Sequence, residues 1–483
     1  MLTNIQIKES EMLSSERKIK QNLLRLTSCA IVLFSLASCA NQTKQNVITH
    51  AAEQPAPPNI LLILSDDHAW NDYSFMGHEI VNTPSLDSLA NEGVTFSKGY
   101  VPTSLCRPSL ATIATGLYAS QHGITGNDPS RETPGGKKGK EYQQLRSQII
   151  AKIDEVKTLP ELLREKGYAS LQTGKWWEGS YERGGFDEGM TKGFPNPYGR
   201  HGDEGLKIGR EGVDTITRFI DKSHEANKPF FVWYAPFMPH SPHTPPKRIL
   251  SKYEKYDLPE SIAKYYAMIE WFDETNGELF SHLEKRGLKD NTLIVYVSDN
   301  GWITNPKQTD RFLPKSKQSP NESGVRTPII YSLPNKFKSS FRQERVSSID
   351  IVPTILGAAG ISVPSELPGI NLYDNLVTGA DIDRELIFGE GFAHDMDDLD
   401  DVESTLLYRW VIKGDWKLIV SYDGKNVSYQ KYHDEFLVGP RLYNLANDEF
   451  EEKNLAAQYP EKVGELKKEI EQWYALEERK LIQ

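Results

Sequence analysis

Two strongly apolar segments each end abruptly in a pair of oxygen-bearing side chains, and this pattern limits the folds that the chain can adopt. The segments cover 60–64 and 293–297, and the polar pairs that follow are Asp66 with Asp67 and Asp299 with Asn300. Continuous apolar runs of this length are typical of strands buried on both faces of a parallel sheet. Because ligands bind beyond the carboxyl ends of such strands, both pairs are expected at one sheet edge. Their oxygens would suit a hard cation.

A third segment, 103–116, predicts a loop that leads into a helix. Pro108 suits the first helical turn, where its missing N–H is no loss, and Gly116 ends the helix. Cys106 then lies at the helix N-terminus, where the dipole and the free N–H groups favour a negative or metal-bound group. A lone cysteine is also typical of a small buried packing residue, so this segment alone leaves both interpretations open.

Taken together, these segments resemble the type I sulfatases of the alkaline phosphatase superfamily. The family signature is Cys-x-Pro-Ser-Arg followed by a helix that closes in Thr-Gly, and the matching residues are Cys106, Pro108, Ser109, Thr115 and Gly116. The resemblance extends from Asn59 to the C-terminus. Leu110 departs from it, because the family has an arginine there that serves both maturation and the charge around the nucleophile. Another maturation route, an unmodified Cys106 and a degenerate site therefore remain open.

The resemblance implies a metal-dependent hydrolase whose nucleophile derives from a cysteine. A maturation enzyme would convert Cys106 to formylglycine, and the hydrated aldehyde would attack the sulfate sulfur. One Ca²⁺ ion is expected, and its ligands would be Asp66, Asp67, Cys106 in its modified form, Asp299 and Asn300.

Two lysines match the sulfate-binding lysines of the family. Gly-Lys-Trp-Trp at 174–177 resembles the family's Gly-Lys-Trp-His, so Lys175 is expected to contact sulfate oxygens. Trp177, however, replaces the histidine that assists the nucleophile. Lys317 matches the second lysine by its spacing from Glu322, with Lys315 as the alternative.

Histidines and one arginine complete the candidate site. His240 matches the histidine that acts as general acid at the leaving oxygen, and His243 is its flanking residue. Arg200 and His201 lie in a polar, glycine-punctuated loop that could bind an anion or a sugar and could compensate for the missing residues. An irregular connection with no such role explains this loop equally well.

The termini and composition predict an exported protein. Basic residues precede a short apolar stretch that ends in Leu-Ala-Ser-Cys39, which resembles a lipoprotein signal over 1–38 with a lipid anchor on Cys39; a plain secretory signal is the alternative. A polar tether is expected over 39–58. The location would then be periplasmic or anchored at the outer membrane. Outside the leader and Cys39, Cys106 is the only cysteine, so no internal disulfide can form.

The predicted fold is α/β. A sulfatase catalytic domain is expected over 59–380, with a large doubly wound, mixed but mainly parallel sheet flanked by helices. A small C-terminal subdomain is expected over 381–483, with an antiparallel sheet and a terminal helix. Segment 127–157 predicts a surface loop with a short helix. The acidic run 395–403 predicts a solvated loop, with a second calcium site as a weaker alternative.

The sequence therefore predicts a sulfuric ester hydrolase that removes sulfate from a sulfated carbohydrate. A phosphate or phosphonate ester hydrolase of the same superfamily is one alternative, and a non-catalytic protein that binds sulfated glycans is the other. The net charge of −11 argues against a nucleic-acid partner. The expected partners are the sugar substrate, the maturation enzyme and, through Cys39 alone, a membrane.

Overall fold

The computed structural model describes residues 57–193, 200–422, 438–476 and 481–482. The predicted leader, Cys39 and almost all of the predicted tether lie outside these residues. Among the described residues, none of the helices combines the length and the apolar character that crossing a membrane requires.

Within the described residues, fourteen strands are distributed over three sheets. In chain order they are β1 Asn59–Ser65, β2 Val94–Tyr100, β3 Asp128–Pro129, β4 Ala169–Gly174, β5 Glu188–Gly189, β6 Phe230–Ala235, β7 Thr292–Ser298, β8 Arg326–Ser332, β9 Ser340–Ser347, β10 Leu386–Phe392, β11 Asp395–Met396, β12 Leu406–Lys413, β13 Trp416–Ser421 and β14 Arg441–Asn444.

Twelve α-helices lie in the described part of the chain. They are α1 Pro84–Glu92, α2 Cys106–Thr115, α3 Ala119–His122, α4 Lys140–Ala151, α5 Leu159–Arg164, α6 Asp214–Glu225, α7 Lys247–Leu250, α8 Glu260–Lys285, α9 Glu322–Val325, α10 Ile351–Ala358, α11 Tyr373–Thr378 and α12 Pro460–Trp473. Short 3₁₀ helices, such as Asp203–Lys207, lie in the connections.

The central sheet has eight strands in the order β5-β4-β6-β1-β7-β8-β2-β9. Strand β8 runs antiparallel to β7 and β2, and the other neighbouring pairs are parallel. Along β1, Ile60, Leu62 and Leu64 pack on one face with α2, α5 and α10, whereas Leu61 and Ile63 pack on the other with α1, α6 and α8. This alternation buries the strand on both faces. The predicted doubly wound, mainly parallel sheet is confirmed.

A second, four-stranded antiparallel sheet follows, in the order β10-β12-β13-β14. Its apolar face packs against α12 through Leu466 and Ile470. The predicted small C-terminal antiparallel sheet with its terminal helix is therefore confirmed. Strand β11 from this region forms a separate two-stranded parallel sheet with β3, which places Asp395 opposite Asp128.

Candidate active site

The ends of four parallel strands bring the predicted acidic and basic residues together. Asp66 and Asp67 follow β1, Lys175 follows β4, His240 lies beyond β6, and Asp299 with Asn300 follows β7. Ligand atoms of Asp66, Asp67, Cys106 and His240 all lie within 4.8 Å of one another. This is the edge at which open α/β sheets bind ligands.

Backbone geometry at the end of β1 orients the two carboxylates. Asp67 adopts a left-handed conformation with φ of 62°, which few non-glycine residues tolerate outside turns and sites. Its N–H donates to Asp299 Oδ1 at 3.1 Å, and Asn300 Nδ2 donates to Asp67 Oδ1 at 2.6 Å. The Asp66 N–H donates to the Met238 carbonyl at 3.0 Å. The ends of β1 and β7 are therefore held in one fixed arrangement.

The donor set of this site fits a hard cation. Asp66 Oδ2, Asp299 Oδ2 and Asn300 Oδ1 are buried and have no hydrogen-bond partner within the described residues. Burial raises the pKa of Asp66 to about 6, against the opposing charge of Lys175. Buried oxygens of this kind are costly unless they are paired or bind a metal. Carboxylate and amide oxygens are the ligand type that hard cations prefer.

Two lysines supply positive charge to the carboxylates. Lys175 Nζ lies 2.7 Å from Asp66 Oδ1, and Lys317 Nζ lies 2.6 and 2.7 Å from the two Asp67 oxygens. Burial opposes both charges, but Asp66 beside Lys175 and Asp67 beside Lys317 outweigh it and raise the pKa of each ammonium group. Both lysines are therefore charged at neutral pH. Lys315, the alternative to Lys317, instead donates to the Glu451 carbonyl.

Cys106 is the first residue of α2, and its Sγ lies 4.0 Å from Asp66 Oδ1. Burial raises the pKa of the Cys106 thiol to about 12, in spite of the nearby Lys175 and Lys317 charges. The unmodified side chain is therefore a protonated thiol at neutral pH, which is a weak nucleophile.

His240 and His243 differ in their surroundings. His240 Nδ1 lies 2.6 Å from the Ser241 carbonyl, and its Nε2 lies 3.4 Å from Asp67 Oδ2. Burial, aided by the two lysines, lowers the pKa of His240 well below its usual value. The neutral ring then donates from Nδ1 and keeps a lone pair on Nε2. His243 is held away from this cluster, with its Nδ1 3.3 Å from Asp310 Oδ1.

The two departures from the family motif are structurally distinct. Leu110 is buried and packs in the apolar core. Arg107 does not replace the missing arginine, since its guanidinium is bound bidentately by Glu178 at 2.7 and 2.5 Å. Trp177 is buried as well, and the Arg200 guanidinium lies over its ring at 4.8 Å.

Sequence reasoning missed Asp128 and Glu178. Asp128 lies at β3 and binds the Nε and Nη2 atoms of Arg200 at 3.0 and 2.5 Å. It also accepts a hydrogen bond from Arg146 Nη1 at 3.2 Å. The two arginines hold the pKa of Asp128 well below its usual range, against the effect of burial. Its segment was predicted to be a surface loop, and no local pattern marks it.

An acidic, oxygen-lined cluster at the carboxyl edge of a doubly wound sheet, with two charged lysines and a cysteine at a helix N-terminus, defines a metal-dependent hydrolase of anionic esters. The family model described as Sulfatase matches residues 58–361. The chain therefore belongs to the sulfatase family of the alkaline phosphatase superfamily, and it is a sulfatase.

Named relatives and solved structures agree with this assignment. The chain is 30% identical over 386 residues to N-acetylgalactosamine-6-sulfatase of Homo sapiens, covering 71% of this chain and 70% of the relative. It is 26% identical over 447 residues to N-acetylglucosamine-6-O-sulfatase of Bacteroides thetaiotaomicron, covering 71% and 73%. The crystal structure of Ps i-CgsB superimposes with a TM-score of 0.67 at 25% identity, covering 86% of this chain and 92% of that one.

Proposed function

We propose that this sulfatase removes sulfate from a sulfated carbohydrate, with formylglycine derived from Cys106 as its nucleophile and one Ca²⁺ as its metal. The position of Cys106 carries the proposal. Its Sγ lies 4.0 Å from Asp66 Oδ1, within a cluster of possible metal-ligand atoms that also includes Asp67 and His240, all within 4.8 Å of one another. A thiol whose pKa is raised to about 12 is poorly suited to this position, whereas a hydroxyl-bearing carbon next to a cation suits it.

The metal would be held by the strand-end oxygens. Its ligands would be Asp66, Asp67, Asp299, Asn300 and the modified side chain at position 106. When bound, the ion would lower the pKa of the nucleophile's hydroxyl and polarise a sulfate oxygen. Lys175 and Lys317 then contribute two fixed positive charges to the remaining sulfate oxygens.

His240 is the residue that can move a proton in this site. Because the ring is fixed through Nδ1 to the Ser241 carbonyl, Nε2 is the atom that faces the cluster. That nitrogen can accept a proton from a hydroxyl and return it to the leaving alcohol oxygen, which is the general-acid role predicted from the sequence. Burial, together with the Lys317 and Lys175 charges, lowers the pKa of His240 and keeps the ring neutral until it accepts the proton.

The carbohydrate class of the substrate rests on the relatives. Those named above are sulfatases of N-acetylgalactosamine and N-acetylglucosamine, and a further solved structure at 23% identity holds D-glucosamine-2-N,6-O-disulfate. Arg200, His201 and His243 are proposed to contact the sugar.

We also propose how the chain is divided into segments. A lipoprotein-type signal would occupy 1–38 and a tether 39–58, followed by the catalytic domain at 59–380 and the C-terminal subdomain at 381–483. Acylation of Cys39 would anchor the enzyme in the periplasm or at the outer membrane. A formylglycine-generating enzyme would act on Cys106 before or during export.

Peptide mass spectrometry on residue 106, combined with a matched ester assay, tests the proposal. The full chain would be produced in a host that matures sulfatases and assayed on sulfated monosaccharides and on 4-nitrophenyl sulfate, phosphate and phosphonate. We expect formylglycine at position 106 and release of sulfate, both of which Cys106→Ala abolishes.

Other outcomes would contradict the proposal in distinguishable ways. Faster release of phosphate or phosphonate than of sulfate would favour the alternative hydrolase, and a phosphonate monoester hydrolase of Agrobacterium radiobacter does share the fold, with a TM-score of 0.61 at 18% identity. An unmodified thiol that binds sulfated sugars without turnover would favour a glycan-binding protein.

A further inference from the structure

A row of rings leads from the metal-ligand cluster to Arg200. The Phe237 and His240 rings stack with centroids 4.2 Å apart, and His201 lies 5.2 Å from Phe237. Trp177 lies 5.1 Å from His201, and the Arg200 guanidinium covers the Trp177 ring at 4.8 Å. We call Trp177, His201 and Phe237 the aromatic wall. It connects the proposed proton-transfer residue with a fixed positive charge.

Arg200 is held rigidly, yet part of it is available to a ligand. Asp128, whose side chain is fully buried, binds its Nε and Nη2 atoms. The Arg200 side chain keeps 36% of its surface exposed, and its Nη1 has no hydrogen-bond partner within the described residues. A guanidinium fixed in this way loses little side-chain entropy when it binds an anion.

The charges around Arg200 do not cancel. Asp128 is shared by Arg200 and Arg146, so these three side chains carry a net positive charge. The neighbouring carboxylate of Asp395 has its own cation in Arg131, at 3.5 Å. His201 does not change this balance, because burial and the charge of Arg200 lower its pKa to about 3 and leave the ring neutral. The excess charge is therefore found on the exposed part of Arg200.

Two polar atoms of the aromatic wall also lack partners. Trp177 Nε1 and His201 Nδ1 are buried without a hydrogen bond to any described residue. Such atoms carry a free-energy cost that a hydroxyl of a bound ligand would offset. A surface of rings with a few polar atoms is also typical of small-ligand sites.

We infer that the two partly exposed rings of the aromatic wall, His201 and Phe237, bind the sugar ring of the substrate. Arg200 Nη1 would then bind a second anionic group, a carboxylate or a second sulfate, apart from the sulfate that is cleaved. The inference rests on the proposed function and narrows its substrate to doubly anionic sugars. It also gives Trp177 a role: the residue that replaces the family histidine provides the platform on which Arg200 lies.

A substrate panel tests this inference. It contains 6-O-sulfated hexosamines, the same hexosamines with a second sulfate at each other position, sulfated disaccharides with and without a uronate, and 4-nitrophenyl sulfate. We expect at least one doubly anionic member to be cleaved with a kcat/KM about tenfold or more above its monoanionic counterpart, because charge-assisted hydrogen bonds are the stronger class. Arg200→Gln should remove this preference, chiefly through KM, and Arg200→Lys should keep part of it.

Arg218→Gln is the matched control, since Arg218 is an exposed arginine on α6. It should leave every kinetic constant unchanged, and melting curves would confirm that each variant is folded. Equal kcat/KM values for mono- and doubly anionic members, or a preference that persists in Arg200→Gln, would overturn the inference. If the wild-type enzyme cleaves no member at all, the proposed function fails. Calorimetry then tests the inference alone: doubly anionic members should bind more tightly than monoanionic ones to the wild type but not to Arg200→Gln, and equal affinities would overturn it.

Discussion

The Lys417 ammonium group lies 2.8 Å from a Glu322 carboxylate oxygen, and both side chains are almost completely buried. Lys417 belongs to β13 of the C-terminal sheet, whereas Glu322 begins α9, directly after the loop that carries Lys317. Glu451 joins the pair: it lies 3.0 Å from Lys417 and accepts the Glu322 N–H at 2.7 Å. The C-terminal sheet therefore helps to position a proposed sulfate-binding lysine.

Replacing Lys417 should strongly destabilise the enzyme. Lys417→Ala leaves Glu322 and Glu451 buried without their cation, and breaking a buried pair in this way costs about 3–5 kcal/mol. Urea unfolding would measure the loss. Lys413→Ala, which removes more exposed ion pairs with Glu385, Glu465 and Glu469, is the control and should unfold much closer to the wild-type midpoint. Equal midpoints for the two variants would show that the buried cluster contributes nothing.

Removing the metal should both inactivate and destabilise the enzyme. A cation that binds only the folded state at a hundred times its Kd adds about 2.7 kcal/mol to the free energy of unfolding. We therefore expect a chelator to lower the Tm and stop sulfate release, and excess Ca²⁺ to restore both. In Asp299→Ala, which removes one proposed ligand, the chelator should hardly change the Tm. A wild-type Tm that is insensitive to chelation would contradict the metal assignment.

The buried pair of Arg107 and Glu178 should be structural. Both side chains are nearly inaccessible, so Glu178→Ala leaves a buried guanidinium without its carboxylate and should cost about 3–5 kcal/mol. A double-mutant cycle with Arg107→Ala would measure the coupling free energy. Additive single-variant effects would contradict the pairing and reopen a catalytic role for Arg107.

Sequence reasoning succeeded where a local pattern carries the information. Apolar runs that end in Asp or Asn predicted the strands that place Asp66 and Asp299 at one edge of the central sheet. Spacing from Glu322 selected Lys317 over Lys315, and of these two side chains Lys317 lies beside Asp67 whereas Lys315 contacts the Glu451 carbonyl.

The remaining contacts are pairings across long separations, which no local pattern encodes. Glu178 meets Arg107 across 71 residues, and Glu322 meets Lys417 across 95. The acidic run was predicted to be solvated, but its first residue, Asp395, is buried because β11 pairs with β3. Each of these residues is charged, so sequence alone predicts that it lies at the surface, because charged side chains are seldom buried without a partner.

Glu390 should make the stability of the enzyme depend on pH. It is buried on β10, and its Oε1 accepts the Ser120 N–H at 2.7 Å, whereas Oε2 has no hydrogen bond to any described residue. Burial raises the pKa of Glu390 from 4.5 to about 7, against the effect of the Ser120 hydrogen bond. The folded state therefore binds more protons than the unfolded state between these values, so stability falls as the pH rises through this window.

Glu390→Gln should remove this loss, because an amide oxygen can still accept the Ser120 N–H and carries no charge. A pKa rise from 4.5 to about 7 corresponds to a loss of about 3 kcal/mol in the free energy of unfolding. This loss is complete above pH 7 and absent below pH 4.5. Urea unfolding of both proteins should therefore show an advantage for the variant that is larger at pH 8.5 than at pH 5. Comparison with the wild type isolates Glu390 from the other buried carboxylates, and Glu461→Gln, an exposed change on α12, serves as the control. Parallel pH–stability curves for wild type and Glu390→Gln would mean that Glu390 titrates alike in the folded and unfolded states.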